Sequence, residues 1–299
     1  MESKKTFYNT LNKSQNLNNV FNYFASYREN VTNIIVHEIQ EMKTKSLNMV
    51  IFGAGNLMDI DYNRLISLDT SIDFMITDID RESMEGGLEF LNLNESRIRI
   101  NAFNYLGRYV DLNMNLLVNQ LNLPMITQEE SLNKVESFFE NLLKEFIKLS
   151  YIKYIEDKAD LIIVMPIYTQ LLYIEMNSKL QGTKGYPYIQ GILLQKMIYV
   201  IDEFNQKLVR CLKEEGKLIV FSDIIEEETN QDKYNLTSGE IQKKIETYEK
   251  TYGVGLGSFG LMNISEYGQI VSEHYMNWDF NETRKFLVKG LTLKNSDNQ

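Results

Sequence analysis

Residues 49–65 read MVIFGAGNLMDIDYNRL, and the fold follows from them. Four apolar residues, Met49 to Phe52, run straight into Gly53-Ala54-Gly55. An apolar run without polar alternation suits a strand covered on both faces. Glycines directly after it suit a tight turn that a ligand can approach closely. A dinucleotide fingerprint would place a third glycine where Met58 stands, yet here Asp59 and Asp61 follow at once. Carboxylates there repel a pyrophosphate and favour a ligand that is positively charged and lacks phosphate.

Further apolar runs recur on the carboxyl side: DFMIT (73–77), RIRI (97–100), LIIVM (161–165) and KLIVF (217–221). Such runs, separated by helical stretches, predict an α/β fold with a doubly wound, mostly parallel sheet. The closing HYMNWDFNETRKFLVKGLTL reads as a hairpin, which completes seven strands with an antiparallel last one. On the amino side, Leu17, Val20, Phe21, Phe24, Tyr27, Ile34, Ile35 and Ile39 recur at helical spacing. Residues 1–45 therefore read as an N-terminal helical cap and 46–294 as the ligand-binding domain. Between the third and fourth runs lie more residues than one crossover helix requires. Leu132, Val135, Phe139, Leu142, Leu143, Phe146 and Ile147 form an amphipathic stripe there, so a helical insert is expected around 108–158, its stripe serving packing.

Composition bounds the rest. The chain has 299 residues, 43% of them hydrophobic, enough for a globular core. Its apolar runs are too short to span a bilayer, and its polar amino terminus lacks a signal-peptide core. A single cysteine, Cys211, excludes an internal disulfide. A net charge of −10 argues against nonspecific nucleic-acid binding. A soluble cytoplasmic protein with no membrane or nucleic-acid partner is expected. No cluster of His, Cys and acids has metal-ligand spacing, so no metal is expected.

The one literal G-x-G-x-x-G, GLGSFG at 255–260, follows a polar helical stretch instead of a strand. The phosphate-binding mechanism needs strand, turn and helix in that order, so GLGSFG reads as a flexible turn. The loop at Gly53 has that context, with a helix expected through Leu57, Ile60 and Leu65. The next run ends in ITDID, placing Asp78 where an acid can accept both ribose hydroxyls of a nucleoside. S-adenosylmethionine (SAM) is such a nucleoside, net cationic and without phosphate.

In this order the motifs resemble those of class I SAM-dependent methyltransferases. VIFGAGN resembles the family's glycine-rich first motif and MITDID its second. INAFNYLG resembles the third, DLIIVMPIYTQL the fourth strand, and LKEEGKLIVFSDII the helix, turn and fifth strand. The resemblance implies cofactor contacts from Gly53, Ala54, Gly55, Asn56, Asp59, Asp78, Ile79, Asn104 and Met165. Three departures stand out. Ile51 replaces the family's acid before the first glycine, leaving Asp59 to meet the methionine ammonium. Asn104, or Asn101, stands where an Asp usually takes the adenine amine, and Asn104→Asp would restore that charge. MPIYTQ does not match the motif of amino methyltransferases.

For the substrate, Tyr168 and Gln170 follow the fourth strand at the edge where open sheets bind ligands. Tyr188 lies in QGTKGYPYIQG, either a substrate lid or a connector, and His274 and Trp278 lie in the hairpin. Tyr23, Tyr27 and Arg28 could close over the cofactor, with Arg28 on the methionine carboxylate or, alternatively, packed beside an aromatic face. The expectation is methyl transfer to a small-molecule acceptor. A non-catalytic SAM-binding scaffold and an NAD(P)-dependent oxidoreductase are the alternatives.

Overall fold

A computed structural model describes residues 16–93, 96–228 and 236–295. Among them seven strands form one sheet. They are β1 Ser46–Phe52, β2 Ser71–Asp78, β3 Ile98–Ala102, β4 Ala159–Val164, β5 Leu212–Glu228, β6 Gly268–Asp279 and β7 Arg284–Asn295. Their order is β3-β2-β1-β4-β5-β7-β6. β1 to β5 pair in parallel, and β7 runs antiparallel to both β5 and β6. This is the doubly wound sheet with an antiparallel last strand that the apolar runs predict.

β1 shows why its run lacks polar alternation. Met49, Val50, Ile51 and Phe52 are all buried. Val50 and Phe52 enter a core shared with the helices Tyr109–Leu121, Gln128–Lys148 and Tyr186–Arg210. Met49 and Ile51 enter the opposite core, shared with the helices Leu17–Tyr23 and Ala25–Met42. Successive side chains feed opposite faces, so neither can be polar. β1 lies between β2 and β4, and the chain order reverses beside it, opening a crevice at the strands' carboxyl ends.

Of the cap expected over 1–45, residues 1–15 lie outside the described residues; the rest holds two helices, broken at Phe24, and Asn16 caps the first by accepting the Asn18 and Asn19 N–H groups. Lys217 of β5 donates to the buried Glu38, tying the second helix to the sheet. In the insert, Thr127 and Glu130 form a capping box that starts Gln128–Lys148. Val135, Phe139, Leu142 and Phe146 are buried, with Leu132 and Leu143 packed against them. Ile147, the last member of the predicted stripe, is 59% exposed and is not core.

Two further expectations are corrected. GLGSFG is no flexible turn: it opens the helix Leu256–Ile264. Its glycines allow close approach, since a Cβ at Gly257 would lie 2.6 Å from Ser222 Oγ and one at Gly260 2.4 Å from the Tyr168 ring. In QGTKGYPYIQG, everything from Tyr186 onward belongs to the helix Tyr186–Arg210, with Pro187 in a first turn whose N–H groups need no helical partner.

Candidate functional site

The turn after β1 is built around two glycines with left-handed backbones. Gly53 has φ +73° and Gly55 φ +51°. A Cβ at Gly53 would strike Ile167 at 2.2 Å, so this glycine permits close packing on the loop after β4. A Cβ at Gly55 would meet nothing within 4 Å, so the turn presents an open face there. The backbone donors of the turn are already engaged. Gly53 N–H donates to Tyr105 Oη (2.8 Å) and Thr77 O (3.1 Å), and Ala54 N–H to Thr77 O (3.2 Å). Gly55 N–H donates to Asp78 Oδ2 (2.9 Å), Leu57 N–H to Ala54 O (2.9 Å) and Met58 N–H to Asn56 Oδ1 (3.3 Å).

The expected helix through Leu57 and Ile60 does not form. Leu57 adopts φ +67°, and the helix starts only at Tyr62, capped by Asp61 accepting from Arg64 N–H (3.1 Å). The helix that follows the glycines in sequence thus does not open directly at the turn. The strand–turn–helix continuity of a pyrophosphate loop is therefore broken after Gly55.

Asp78 ends β2. Its Oδ2 takes the Gly55 N–H and its Oδ1 the Asp80 N–H at 3.0 Å. Burial raises its pKa, opposed by these backbone donors. Ile79 follows, half-buried, and Asp80 caps the helix Arg81–Phe90 by accepting from Ser83 N–H (3.2 Å) and Oγ–H (2.6 Å). Met165, buried after β4, donates its N–H to Phe52 O (2.9 Å) and sits beside Gly53.

Asn104 accepts the Leu106 N–H on Oδ1 (3.0 Å) and donates Nδ2–H to Asp111 Oδ2 (3.3 Å). Asp111 Oδ1 is buried without a partner among the described residues. A carboxylate thus stands beside Asn104 from seven residues later, in the first turn of Tyr109–Leu121. The benefit expected of Asn104→Asp reverses, because the new carboxylate would face Asp111. Two like charges about 4 Å apart repel by roughly 1 kcal/mol even in water. Asn104→Asp is expected to lower the melting temperature and to gain no SAM affinity. Differential scanning calorimetry and ligand titration check both, and a tighter complex would refute it.

A second group of side chains comes from the amino-terminal helices, the turn, β5 and the hairpin. Asp59 Oδ1, the Tyr27 hydroxyl, Asp223 Oδ1 and the Trp278 indole N–H are all buried without partners among the described residues. Burial pushes Asp59 up to about 7, with the Arg28 guanidinium pulling it back. Burial likewise pushes Asp223 up to about 6, opposed by its backbone and by Thr169. The Tyr27 phenol is raised well above its ordinary value by burial and then by the charges of Asp59 and Asp223, so its hydroxyl lies in the field of both. Arg28 is nearly buried, lies over the Phe21 ring at 3.7 Å, and donates to Phe21 O (3.0 Å) and Met58 O (3.2 Å). Tyr23 donates to Glu282 (2.8 Å), fastening the cap to the β6–β7 turn.

Of the substrate candidates, only Trp278 joins this group, stacked on Tyr27 at 5.0 Å. Tyr168 is fully buried and donates to Asn205 Oδ1 (2.9 Å), so it is a core residue and not pocket lining. Its neighbour Thr169 faces the edge instead, donating to Asp223 Oδ2 at 3.4 Å. Gln170 bonds back to Pro166 O (3.2 Å) within its own loop. Tyr188 is 44% exposed on the first helical turn after Gly185, which packs on Leu121 and Ser131 of the insert. His274 lies mid-strand, between the hydroxyls of Ser272 and Thr292 (3.0 Å each), its pKa lowered first by burial. Nothing places it at the carboxyl edge.

A concavity of about 480 Å³ lies elsewhere, between Tyr109–Leu121 and Gln128–Lys148, lined by Asn113, Lys134, Phe138 and Asn141. It holds none of the unpaired groups. Among the described residues no helix is long and apolar enough to cross a membrane, and no group of three or more His, Cys or acids could hold a metal.

No protein-family model matches the chain, and no curated protein matches it. Solved structures similar to it include the N-methyltransferase NodS from Bradyrhizobium japonicum: 11% identity, 90% of this chain and 95% of that one, TM-score 0.44. The same protein in complex with S-adenosyl-L-homocysteine (SAH) gives 10% identity, 88% and 87% coverage, and TM-score 0.38. A SAM-dependent methyltransferase from Anabaena variabilis gives 9%, 90%, 86% and 0.41. Likeness this distant shows neither the ligand nor the acceptor.

Proposed function

We propose that this chain is a SAM-dependent methyltransferase acting on a small molecule. One observation carries the reading. The glycine turn leaves an open face at Gly55, while at least five of its backbone N–H groups are already engaged and Asp59, close behind it in sequence, has Oδ1 buried without a hydrogen-bond partner among the described residues. A phosphate needs free N–H groups and no acid; a cationic nucleoside needs the reverse.

SAM fits these residues. Asp59 meets its ammonium, Asp78 its ribose, and Asn104 with Asp111 its adenine amine, while Ala54, Asn56, Ile79 and Met165 line the turn. Arg28 closes over the methionine end, its charge available to the carboxylate. When bound, SAM supplies a methyl group on an electron-poor sulfonium. The protein's part is to align an acceptor with that carbon and exclude water. A net charge of −10 supports a small acceptor over a nucleic acid.

Isothermal titration of the full chain tests this against the dinucleotide reading. SAM or SAH is expected to bind in the micromolar range while NAD shows no saturable heat. Binding of NAD with none of SAM would overturn it.

A further inference from the structure

Buried polar atoms are nearly always paired, so several orphans in one place point to an absent ligand. Among the described residues the orphans here are the Tyr27 hydroxyl, Asp223 Oδ1 and the Trp278 indole N–H, in addition to Asp59 Oδ1. Asp223 is out of character with its strand. Ile219 and Phe221 point into the cap-side core, and by strand alternation Asp223 is the next residue on that face. It lies beyond Val220, which pairs with the last residue of β4, so its carboxylate stands past that strand's carboxyl end. In register, Asp223 pairs with Val288, which pairs with Met276, and Trp278 lies two residues further along β6. The Tyr27 ring covers Trp278 nearly parallel, 21° between planes, giving the site an aromatic wall.

We propose that Asp223, Tyr27 and Trp278 form the acceptor subsite and that the acceptor is an amine. This rests on the SAM reading above, which assigns Asp59 to the cofactor and leaves Asp223 without a role. A carboxylate and a phenol oxygen accept hydrogen bonds from an N–H group, and the aromatic faces attract a cation. A carboxylate or phosphate acceptor meets repulsion from Asp223, and an alcohol satisfies one hydrogen bond without matching the charge. The chemistry balances. An alkylammonium releases one proton to solvent, and Asp223 holds a remaining N–H so that the nitrogen lone pair faces the methyl carbon. The C–N bond forms as the C–S bonding pair stays on sulfur, leaving neutral SAH and a methylated ammonium.

Trp278 is the only tryptophan in the chain, so its emission reports this subsite directly. The full chain, saturated with SAH as judged by calorimetry, is titrated with ethylamine, butylamine and benzylamine and with the matching alcohols. At least one amine is expected to change the emission at a concentration at least about tenfold below its alcohol. Asp223→Asn should lose that preference while binding SAH within about threefold of wild type. Tyr27→Phe keeps the stack and removes only the hydroxyl, and it should weaken the amine severalfold; it serves if Asp223→Asn does not fold. If SAH binds and no amine outcompetes its alcohol, or if the preference survives in Asp223→Asn, the amine subsite is wrong. If SAH itself does not bind, the cofactor reading fails first and the subsite falls with it.

Discussion

Asp78→Ala is expected to weaken SAM binding by at least about a hundredfold, or roughly 2.8 kcal/mol. The carboxylate does two things at once. It holds the glycine turn, through Gly55 N–H on Oδ2 and Asp80 N–H on Oδ1, and each oxygen keeps a further lone pair with which to accept a ribose hydroxyl. Hydrogen bonds to a charged group are worth about 1.5–3 kcal/mol each. Truncation removes the proposed ribose contact and also the tie that holds Gly55 in its left-handed conformation. Asn is no rescue, since its amide must turn one N–H against a backbone donor that the carboxylate now satisfies. Asp80→Ala is the control. Losing that cap costs about 1 kcal/mol of stability, yet SAM affinity should stay within a few-fold. Calorimetry on variants whose fold is verified by circular dichroism decides the matter. Equal affinities for wild type and Asp78→Ala would remove Asp78 from the site.

The sheet was legible because its central strands are buried on both faces, so MVIF, DFMIT, LIIVM and KLIVF carry no competing pattern. The glycine turn was legible for the same reason, being punctuation directly after such a run. The segment beyond the turn was not. Leu57 and Ile60 have helical spacing, but Leu57 is forced to φ +67° because the turn's donors bond inward to Thr77, Asp78 and Ala54. Tyr105 braces Gly53 from 52 residues away, a partnership no local signal announces. Tyr168 and Thr169 are adjacent, and which of them turns inward depends on Asn205 and Gly260, both remote in sequence. Asp223 could have been found: a lone acid continuing the apolar face of KLIVFSDII needs a partner, and none stands nearby in sequence.

Asp59→Asn is expected to stabilise the free protein and disable it, both in a pH-dependent way. In the fold, burial holds the Asp59 carboxyl up to about 7, against an ordinary value of 3.8. The unfolded chain thus releases a proton between about pH 4 and 7 that the folded chain retains. Stability associated with this group is fully present below about pH 4 and is lost as pH rises towards 7. Asn carries no such charge, so the variant's melting temperature should exceed wild type's by several degrees at pH 8, the gap closing towards pH 4. Ligand binding should obey the opposite logic. An ammonium wants the ionised carboxylate, so wild-type SAM affinity should fall by about tenfold per unit below pH 7. It should fall again above about pH 8, where an α-amino group loses its own proton. The variant should bind SAM at least about tenfold more weakly at pH 7.5 and lack the acid limb. Other groups near Asp59 do not mimic that limb: burial raises the Tyr27 and Tyr62 phenols far above this range, and Arg28 is lowered by burial from an ordinary value far above it. Asp223 titrates near 6, so a limb centred there instead, and surviving in Asp59→Asn, would transfer the ammonium contact to Asp223 and overturn both assignments.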